Sequence, residues 1–280
     1  MAYFFVKISE IDKITYFCSC NWRYLMEKVF NPEYKHFEDR FDSILKDFET
    51  SGEQVGFGKR NAIRAFDAAG LKVNVKSFKS PNFINGIVYG FFRKSKAQRS
   101  FEYANLLLNK GIGTPQPFAY YLEKKTLGLQ RSYYFSQQQD IDGMFQTLRF
   151  EPEFPDREEI IRQSAAFYFK IHNEGIEFMD NTGGNTLFRK RADGEYDFFL
   201  VDLNRMKFHE SISLEQRAKN LAKLTTDKQI NSVLGTAYAK LYQVDETLFC
   251  GLLQKEADKL WDKFERKRRL KRKLKFWKNY

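Results

Sequence analysis

The chain has 280 residues, 42% of them hydrophobic and 17% aromatic, with 29 Phe against only 16 Gly and 6 Pro. That composition excludes a disordered or linker-dominated protein and supplies enough apolar area for one large domain or for two lobes. The net charge of +11 is concentrated at one end: residues 263–280 hold ten bases and one acid, a net of +9.

Cys18, Cys20 and Cys250 lack metal-ligand or redox-pair spacing and read as reduced thiols of a cytosolic protein. No run approaches the roughly 18 apolar residues that a membrane crossing needs, and the N-terminus has no basic stretch ahead of its few apolar residues. The expectation is a cytoplasmic protein that touches a membrane at most on its surface.

Residues 1–25 look unlike the rest of the chain and read as an N-terminal extension, with Met26-Glu-Lys-Val-Phe-Asn-Pro as an alternative start. Gly56-Phe-Gly58-Lys59-Arg60-Asn61 has the spacing of the first two glycines of a phosphate-binding G-x-G-x-x-G, with Asn at the third place. A plain hairpin turn fits those residues as well, although Lys59 and Arg60 at its tip suit a polyphosphate. Strands are predicted over 62–67 and 71–78, around Ala68-Ala69-Gly70, and the second has the period of two of a half-buried strand carrying Lys76. A helix is predicted from the capping-box spacing Ser95-Lys-Ala-Gln98, ending at Gly111 with Pro115 beyond, with Glu102 in its second turn.

Strand character returns over 117–122 and 131–136 around a turn at Gly128, and the polar run 137–140 reads as a crossing between lobes. Residues 156–172 are predicted helical, Phe198-Phe-Leu-Val is a buried-strand run, and the remainder is mostly helical. Strands first and helices afterwards is an α+β arrangement. The expected division is an N-lobe over 26–138 (antiparallel sheet plus one helix), a mostly helical C-lobe over 139–262, and a basic amphipathic tail over 263–280, with a cleft near residue 138.

The segment His172-Asn-Glu-Gly-Ile-Glu-Phe-Met-Asp180-Asn-Thr-Gly-Gly-Asn185, followed by Asp202 at the end of the apolar run, has the order in which kinase-like folds supply a base and two oxygen ligands for magnesium. Phosphoryl transfer asks a protein for positioning and charge neutralisation. Lys76 on its strand can reach the α and β phosphates of ATP if Glu102 holds its flexible stem. Asp180 would orient or deprotonate the acceptor hydroxyl, and Asn185 and Asp202 would hold Mg²⁺ between the β and γ phosphates. Singly, Lys76 and Glu102 are ordinary surface residues, and Asp180 with Asn185 could be a self-bonded turn around Gly183-Gly184. Asp202 is harder to dismiss, because a carboxylate at the end of a buried strand needs a partner such as a cation.

Together, Leu71-Lys-Val-Asn-Val-Lys-Ser-Phe-Lys, Arg99-Ser-Phe-Glu-Tyr-Ala, Gly113-Thr-Pro-Gln-Pro, the His172 to Asn185 segment and Leu200-Val-Asp-Leu-Asn-Arg-Met-Lys-Phe resemble the Kdo/WaaP lipopolysaccharide kinase family, a branch of the bilobal protein-kinase-like fold. The resemblance covers about residues 27–210. It implies ATP- and Mg²⁺-dependent phosphorylation of a sugar hydroxyl in the lipopolysaccharide inner core, on Kdo (3-deoxy-D-manno-octulosonic acid) or heptose, at the inner face of the cytoplasmic membrane. Carried over by position, it gives Lys76, Glu102, Asp180, Asn185 and Asp202 the roles assigned above. The chain departs from the family in carrying Phe178 where a His usually stands two residues before the base, and Leu203-Asn204 where regulated protein kinases have Phe-Gly.

At about 100° per residue, Leu260, Phe264, Leu270, Leu274 and Trp277 fall within roughly a 140° arc of a C-terminal helix, shared with Lys263, Lys267 and Lys271. Such a basic helix suits an anionic membrane surface and a lipid-linked acceptor. Nucleic acid is a poorer match, since no nucleic-acid-binding fold accompanies the bases. Alternatives of other classes are a pseudokinase scaffold and a kinase for protein or a small soluble alcohol. Oligomeric state is not legible in the sequence.

Overall fold

The computed structural model describes residues 14–17, 25–56, 61–78, 94–125 and 128–278. Cys18 and Cys20 lie outside them. The chain divides into two compact units, Met1–Asn109 with Pro115–Gln139, and Lys110–Thr114 with Asp140–Tyr280.

The first unit is built on an antiparallel sheet, seven-stranded among the described residues, in the order β1-β2-β6-β7-β5-β4-β3. The strands are β1 (Ile14–Phe17), β2 (Leu25–Phe30), β3 (Glu53–Gln54), β4 (Asn61–Ala68), β5 (Leu71–Phe78), β6 (Pro117–Lys125) and β7 (Gly128–Gln137). The predicted hairpin forms as β4 and β5, and its turn is Ala69-Gly70, with both φ angles positive at 56° and 88°. That conformation matches the right-handed twist of the flanking strands, and the Asp67 carboxylate accepts the Gly70 N–H at 2.7 Å. Gly128, expected in the turn, instead opens β7 opposite Lys125.

Alternation along the strands gives the sheet two apolar faces. On one, Val73, Val75 and Phe135 are buried beneath helix α1 (Glu38–Lys46), whose Phe41 ring stacks on Phe135 at 4.8 Å and on Phe30 at 5.9 Å. Burial of an aromatic side chain of this size stabilises by about 1.5–3 kcal/mol. Lys28 of β2 ties α1 down at the edge of this core through Asp42 at 2.6 Å and Glu38 at 3.2 Å. Burial pushes the Lys28 ammonium down, but the two carboxylates outweigh it and leave its pKa raised. The other face is covered by α2 (Lys96–Asn109), whose Phe101 meets Tyr120 edge-on at 5.3 Å within a cluster that includes Phe78 and Ala97. Helix α2 starts where predicted, with the Ser95 hydroxyl accepting from Gln98 N at 3.0 Å.

The second unit contains β8 (Gly143–Met144), α3 (Thr147–Phe150), α4 (Arg157–Asn173), β9 (Ile176–Phe178), a 3₁₀ turn (Gly183–Asn185), β10 (Thr186–Lys190), β11 (Tyr196–Leu200), β12 (Met206–Phe208), α5 (Leu214–Leu221), α6 (Lys228–Tyr242) and α7 (Glu246–Lys278). Strands β11-β10-β8 form one small antiparallel sheet, and β12 pairs with β9. Tyr238 of α6 is the hub of the helical core, edge-on to Phe169 of α4 at 5.6 Å and stacked on Phe249 of α7 at 4.9 Å.

Two glycines of this unit are dictated by close backbone approach. Gly113 accepts Leu200 N at 3.0 Å, and a Cβ there would stand 2.0 Å from the Phe198 carbonyl oxygen. Thr114 continues the contact by donating its hydroxyl to Leu200 O at 2.8 Å, so residues 113–114 hold the end of β11 that leads to Asp202. Gly175, at φ +69°, accepts His209 N at 2.8 Å, and a Cβ would come within 2.1 Å of His209 O.

Candidate active site

The loop between β9 and β10 is tightly self-bonded. The Asp180 carbonyl accepts from Thr182 N and from Asn185 Nδ2, each at 2.8 Å, and Asn185 N donates to Thr182 O at 2.8 Å. Gly183 is bonded on both sides, its N–H to Leu224 O at 3.2 Å and its carbonyl to Gln146 N at 3.0 Å. Its lack of a side chain therefore admits the protein's own backbone.

Beneath the loop lies a buried polar brace. Asn181, fully buried, accepts from the Tyr168 hydroxyl at 2.8 Å and donates to the carbonyl of Asn220 on α5 at 3.0 Å. Tyr168 also bonds Thr186 Oγ1 at 2.5 Å. Asn220 donates to Phe178 O at 2.8 Å and lies 3.2 Å from His172 Nε2, while His172 Nδ1 faces the Tyr238 hydroxyl at 2.8 Å. Burial drives the His172 pKa down to about 3, with the Asn220 bond opposing and the charges of Arg217 and Lys223 adding to the depression. The ring is a neutral strut. Phe178 is fully buried and fills core space, so polar support of the loop comes from Asn220 and Asn181.

Asp202 lies just beyond β11. The pairing Thr186↔Leu200, extended by Val201 N to Asn185 O at 3.0 Å, sets Asn185 beside the Val201-Asp202 peptide. Asp202 has φ +60°, a left-handed conformation costly for a residue other than glycine and typical of functional positions. Asn204 Nδ2 donates to Asp202 Oδ1 at 2.7 Å. Asn185 Nδ2 is committed to the Asp180 carbonyl, which leaves its amide oxygen as the group able to meet a cation. One carboxylate and one amide oxygen fit a hard cation such as Mg²⁺, which takes one or two protein oxygens and completes its shell with water and phosphate.

Lys76 and Glu102 belong to the first unit. Lys76 lies opposite Tyr134 in the β5–β7 pairing, with Nζ 5.3 Å from the centre of the Phe78 ring. Phe78 packs in the same cluster as Phe101, the neighbour of Glu102. The Glu102 carboxylate accepts from Lys94 at 2.7 Å and from Gln98 at 3.0 Å. It also lies close enough to Tyr120 to add to burial and to Glu27 in raising that hydroxyl's pKa. Gly56, at φ +72°, lies two residues beyond β3 with open space where a side chain would stand, and its carbonyl accepts from Gln54 Nε2. Gly58, Lys59 and Arg60 lie outside the described residues.

Two cations near Asp180 carry no motif signal of their own. Arg205 Nη1 donates to Asp180 Oδ1 at 2.9 Å, and Lys223 Nζ donates to Met179 O at 3.3 Å. Arg205 stands within the Leu200-Val-Asp-Leu-Asn-Arg stretch, where its spacing from Asp202 is the available clue. Lys223 lies just beyond α5, and only tertiary packing brings it to the loop. The groove lined by Phe167, Lys170, Arg191 and Phe198 includes none of Asp180, Asn185 or Asp202.

No family model and no curated protein sequence matches the chain. Among solved structures, it is similar to WaaP in complex with acyl carrier protein, at 15% identity and a TM-score of 0.55, over 84% of this chain and 99% of that one. The chain has a WaaP-like, kinase-like α+β fold.

Proposed function

We propose that the protein is an ATP-dependent kinase that phosphorylates a sugar hydroxyl of the lipopolysaccharide inner core, on Kdo or heptose. The observation that carries this reading is the closure of Asp180, Asn185 and Asp202 around one loop: Asn185 bonds the Asp180 carbonyl through its side chain and Val201 N through its own carbonyl. The residues that would serve as base and as oxygen donors for a cation are thereby joined through one loop, within a fold like that of WaaP.

Asp180 would accept the hydroxyl proton or orient the hydroxyl for in-line attack, with Arg205 holding its carboxylate. Asn185 and Asp202 would hold Mg²⁺, which when bound neutralises charge on the β and γ phosphates. Lys76 would bind the α and β phosphates, Glu102 would steady it in place of its bond to Lys94, and Gly56 to Arg60 would cover the phosphates. In this scheme residues 26–138 bind nucleotide and 139–262 bind the acceptor. No helix among the described residues is long and apolar enough to cross a membrane. The basic tail would hold the enzyme peripherally on the anionic inner face of the cytoplasmic membrane, where a lipid-linked acceptor lies.

The test is transfer of the γ-phosphate of ATP to purified inner-core acceptors, read by mass spectrometry of the core sugar, alongside core sugar from cells with and without the gene. Transfer to Kdo or heptose supports the reading. ATP binding with no transfer to any alcohol would leave a pseudokinase, and transfer to protein alone would redirect the reading to a protein kinase.

A further inference from the structure

We propose that Arg205, Lys207, Lys219 and Lys223 form a subsite for an anionic group of the acceptor, adjacent to the hydroxyl that Asp180 addresses. The inference rests on the kinase reading for Asp180's role and extends it to the chemical class of the acceptor.

The cluster is assembled from three elements. Arg205 immediately precedes β12 and its carbonyl accepts Met179 N at 3.1 Å, which continues the β9 pairing, so Arg205 and Lys207, two residues apart, lie on the same side, with Lys207 directly opposite Glu177 of β9. Lys219 and Lys223 are four apart on α5 and the turn after it, a spacing that brings side chains together. Arg205 and Lys223 then converge on two consecutive residues: Arg205 on the Asp180 carboxylate at 2.9 Å, Lys223 on the Met179 carbonyl at 3.3 Å.

The balance of charge there is uneven. The carboxylates acting on Lys223 are Glu177 and Asp180, and Glu215, four residues before Lys219 on α5, accepts from the Ser213 hydroxyl at 2.8 Å. Glu177 also bonds His209 Nε2 at 3.1 Å and stands 3.8 Å from Lys223. Lys223 is partly buried, and its only hydrogen bond among the described residues is to a neutral carbonyl. Burial lowers its pKa, with Lys219 and Lys207 adding to the depression and Glu177 and Asp180 opposing it. A partly desolvated ammonium crowded by like charges is costly alone and is relieved by an incoming anion.

The group that fits is a compact oxyanion, either the carboxylate of an acidic sugar or the phosphate ester of a phosphorylated one. Its charge would be met by short, charge-assisted bonds beside the reacting hydroxyl, and a neutral sugar would leave the cluster uncompensated.

Direct binding tests this without turnover. The full chain, loaded with a non-hydrolysable ATP analogue and Mg²⁺, is titrated calorimetrically with Kdo, with its carboxyl-reduced neutral counterpart, and with heptose with and without a phosphate ester. The acid, the phosphate ester or both should bind about tenfold or more tighter than the matching neutral sugar, and the arm that shows the preference names the anion. Lys223→Met should bring each pair close to equality. The double variant Lys207→Gln/Lys219→Gln, at two exposed positions, should do so in part while melting like the parent protein. Equal binding of charged and neutral partners, failure of every probe to bind, or a preference that survives both variants would overturn the subsite. Selective binding without phosphate transfer would instead keep the subsite and remove the kinase reading, whereas transfer with no preference for charge would do the reverse.

Discussion

Arg205 Nη1 meets Asp180 Oδ1 at 2.9 Å, so the residue three places beyond the candidate metal ligand holds the candidate base. Two backbone bonds run alongside, Met179 N to Arg205 O at 3.1 Å and Val201 N to Asn185 O at 3.0 Å. The loop over 179–185 and the segment over 201–205 are thereby stitched into one body. The Arg205 side chain is 61% exposed, so its ion pair adds at most about 1 kcal/mol to stability. Its consequence is orientation of the carboxylate, together with positive charge beside it.

The division of labour between carboxylates is testable. Asp180→Asn should lower kcat by about 10² or more, the range for losing a general base, with ATP affinity nearly unchanged. Asp202→Ala should abolish turnover at ordinary Mg²⁺, and excess chelator should do the same to the parent enzyme. Initial-rate measurements and nucleotide titration check both. Undiminished transfer by the Asp180 variant, or full activity of the Asp202 variant, would reassign the site.

The approach of Gly113 to Phe198 O leaves no room for a methyl group, and the obstacle is backbone. Gly113→Ala should therefore cost about 3 kcal/mol or more, with displacement of β11 and loss of activity. Gly194, at φ +89° with open space around it, is the contrasting case: Gly194→Ala should cost about 1–2 kcal/mol from backbone strain alone. Thermal and denaturant unfolding of the two variants should separate them clearly.

What is legible in the sequence is local. The β4–β5 hairpin, the Ser95 cap of α2 and helix α4 arise from alternation, capping and periodicity within a few residues. The order Asp180, Asn185, Asp202 is readable because β10 and β11 are consecutive and their antiparallel pairing brings Asn185 to Val201. Helix α1 gives no such signal, although its Phe41 lies at the centre of one core of the first unit. It continues directly from a 3₁₀ helix over Pro32–Phe37 and has no side-chain cap bond at its start to mark it. The Asn220 and Lys223 contacts are hidden for a different reason, since they join residues about forty apart without any spacing rule. The φ of +60° at Asp202 is not marked by the residue type, since aspartate adopts that region more readily than most side chains but still only occasionally.

His172 makes a prediction about pH. Its pKa is about 3 in the folded chain against 6.5 ordinarily, so between those values the unfolded chain binds a proton that the folded one refuses. Stability from this group is complete above pH 6.5 and should fall as pH drops toward 3, by up to about 1.4 kcal/mol per unit. Urea unfolding at pH 7.5, 6 and 5 measures the slope. His172→Gln should be less stable at pH 7.5 through its lost hydrogen bonds, yet show a shallower fall with acid. An unchanged slope would place the titration on another group.

The last prediction concerns α7, which begins in the core and continues well beyond it. Phe249, Leu253 and Ala257 are fully buried, whereas Trp261, Phe264 and Leu270 are 42%, 57% and 60% exposed among mostly basic neighbours. Each Lys or Arg near an anionic surface contributes roughly 1 kcal/mol, so three or four engaged residues would give appreciable binding that weakens as salt rises. Exposed Trp and Phe beside them can enter the headgroup region. Truncation after Leu260 should then abolish sedimentation with anionic vesicles while leaving ATP binding intact, because the buried stripe that anchors α7 remains. Neutral vesicles should not sediment the full chain. Continued sedimentation of the truncated protein, or indifference of the full chain to anionic lipid at low salt, would show that the helix has another partner.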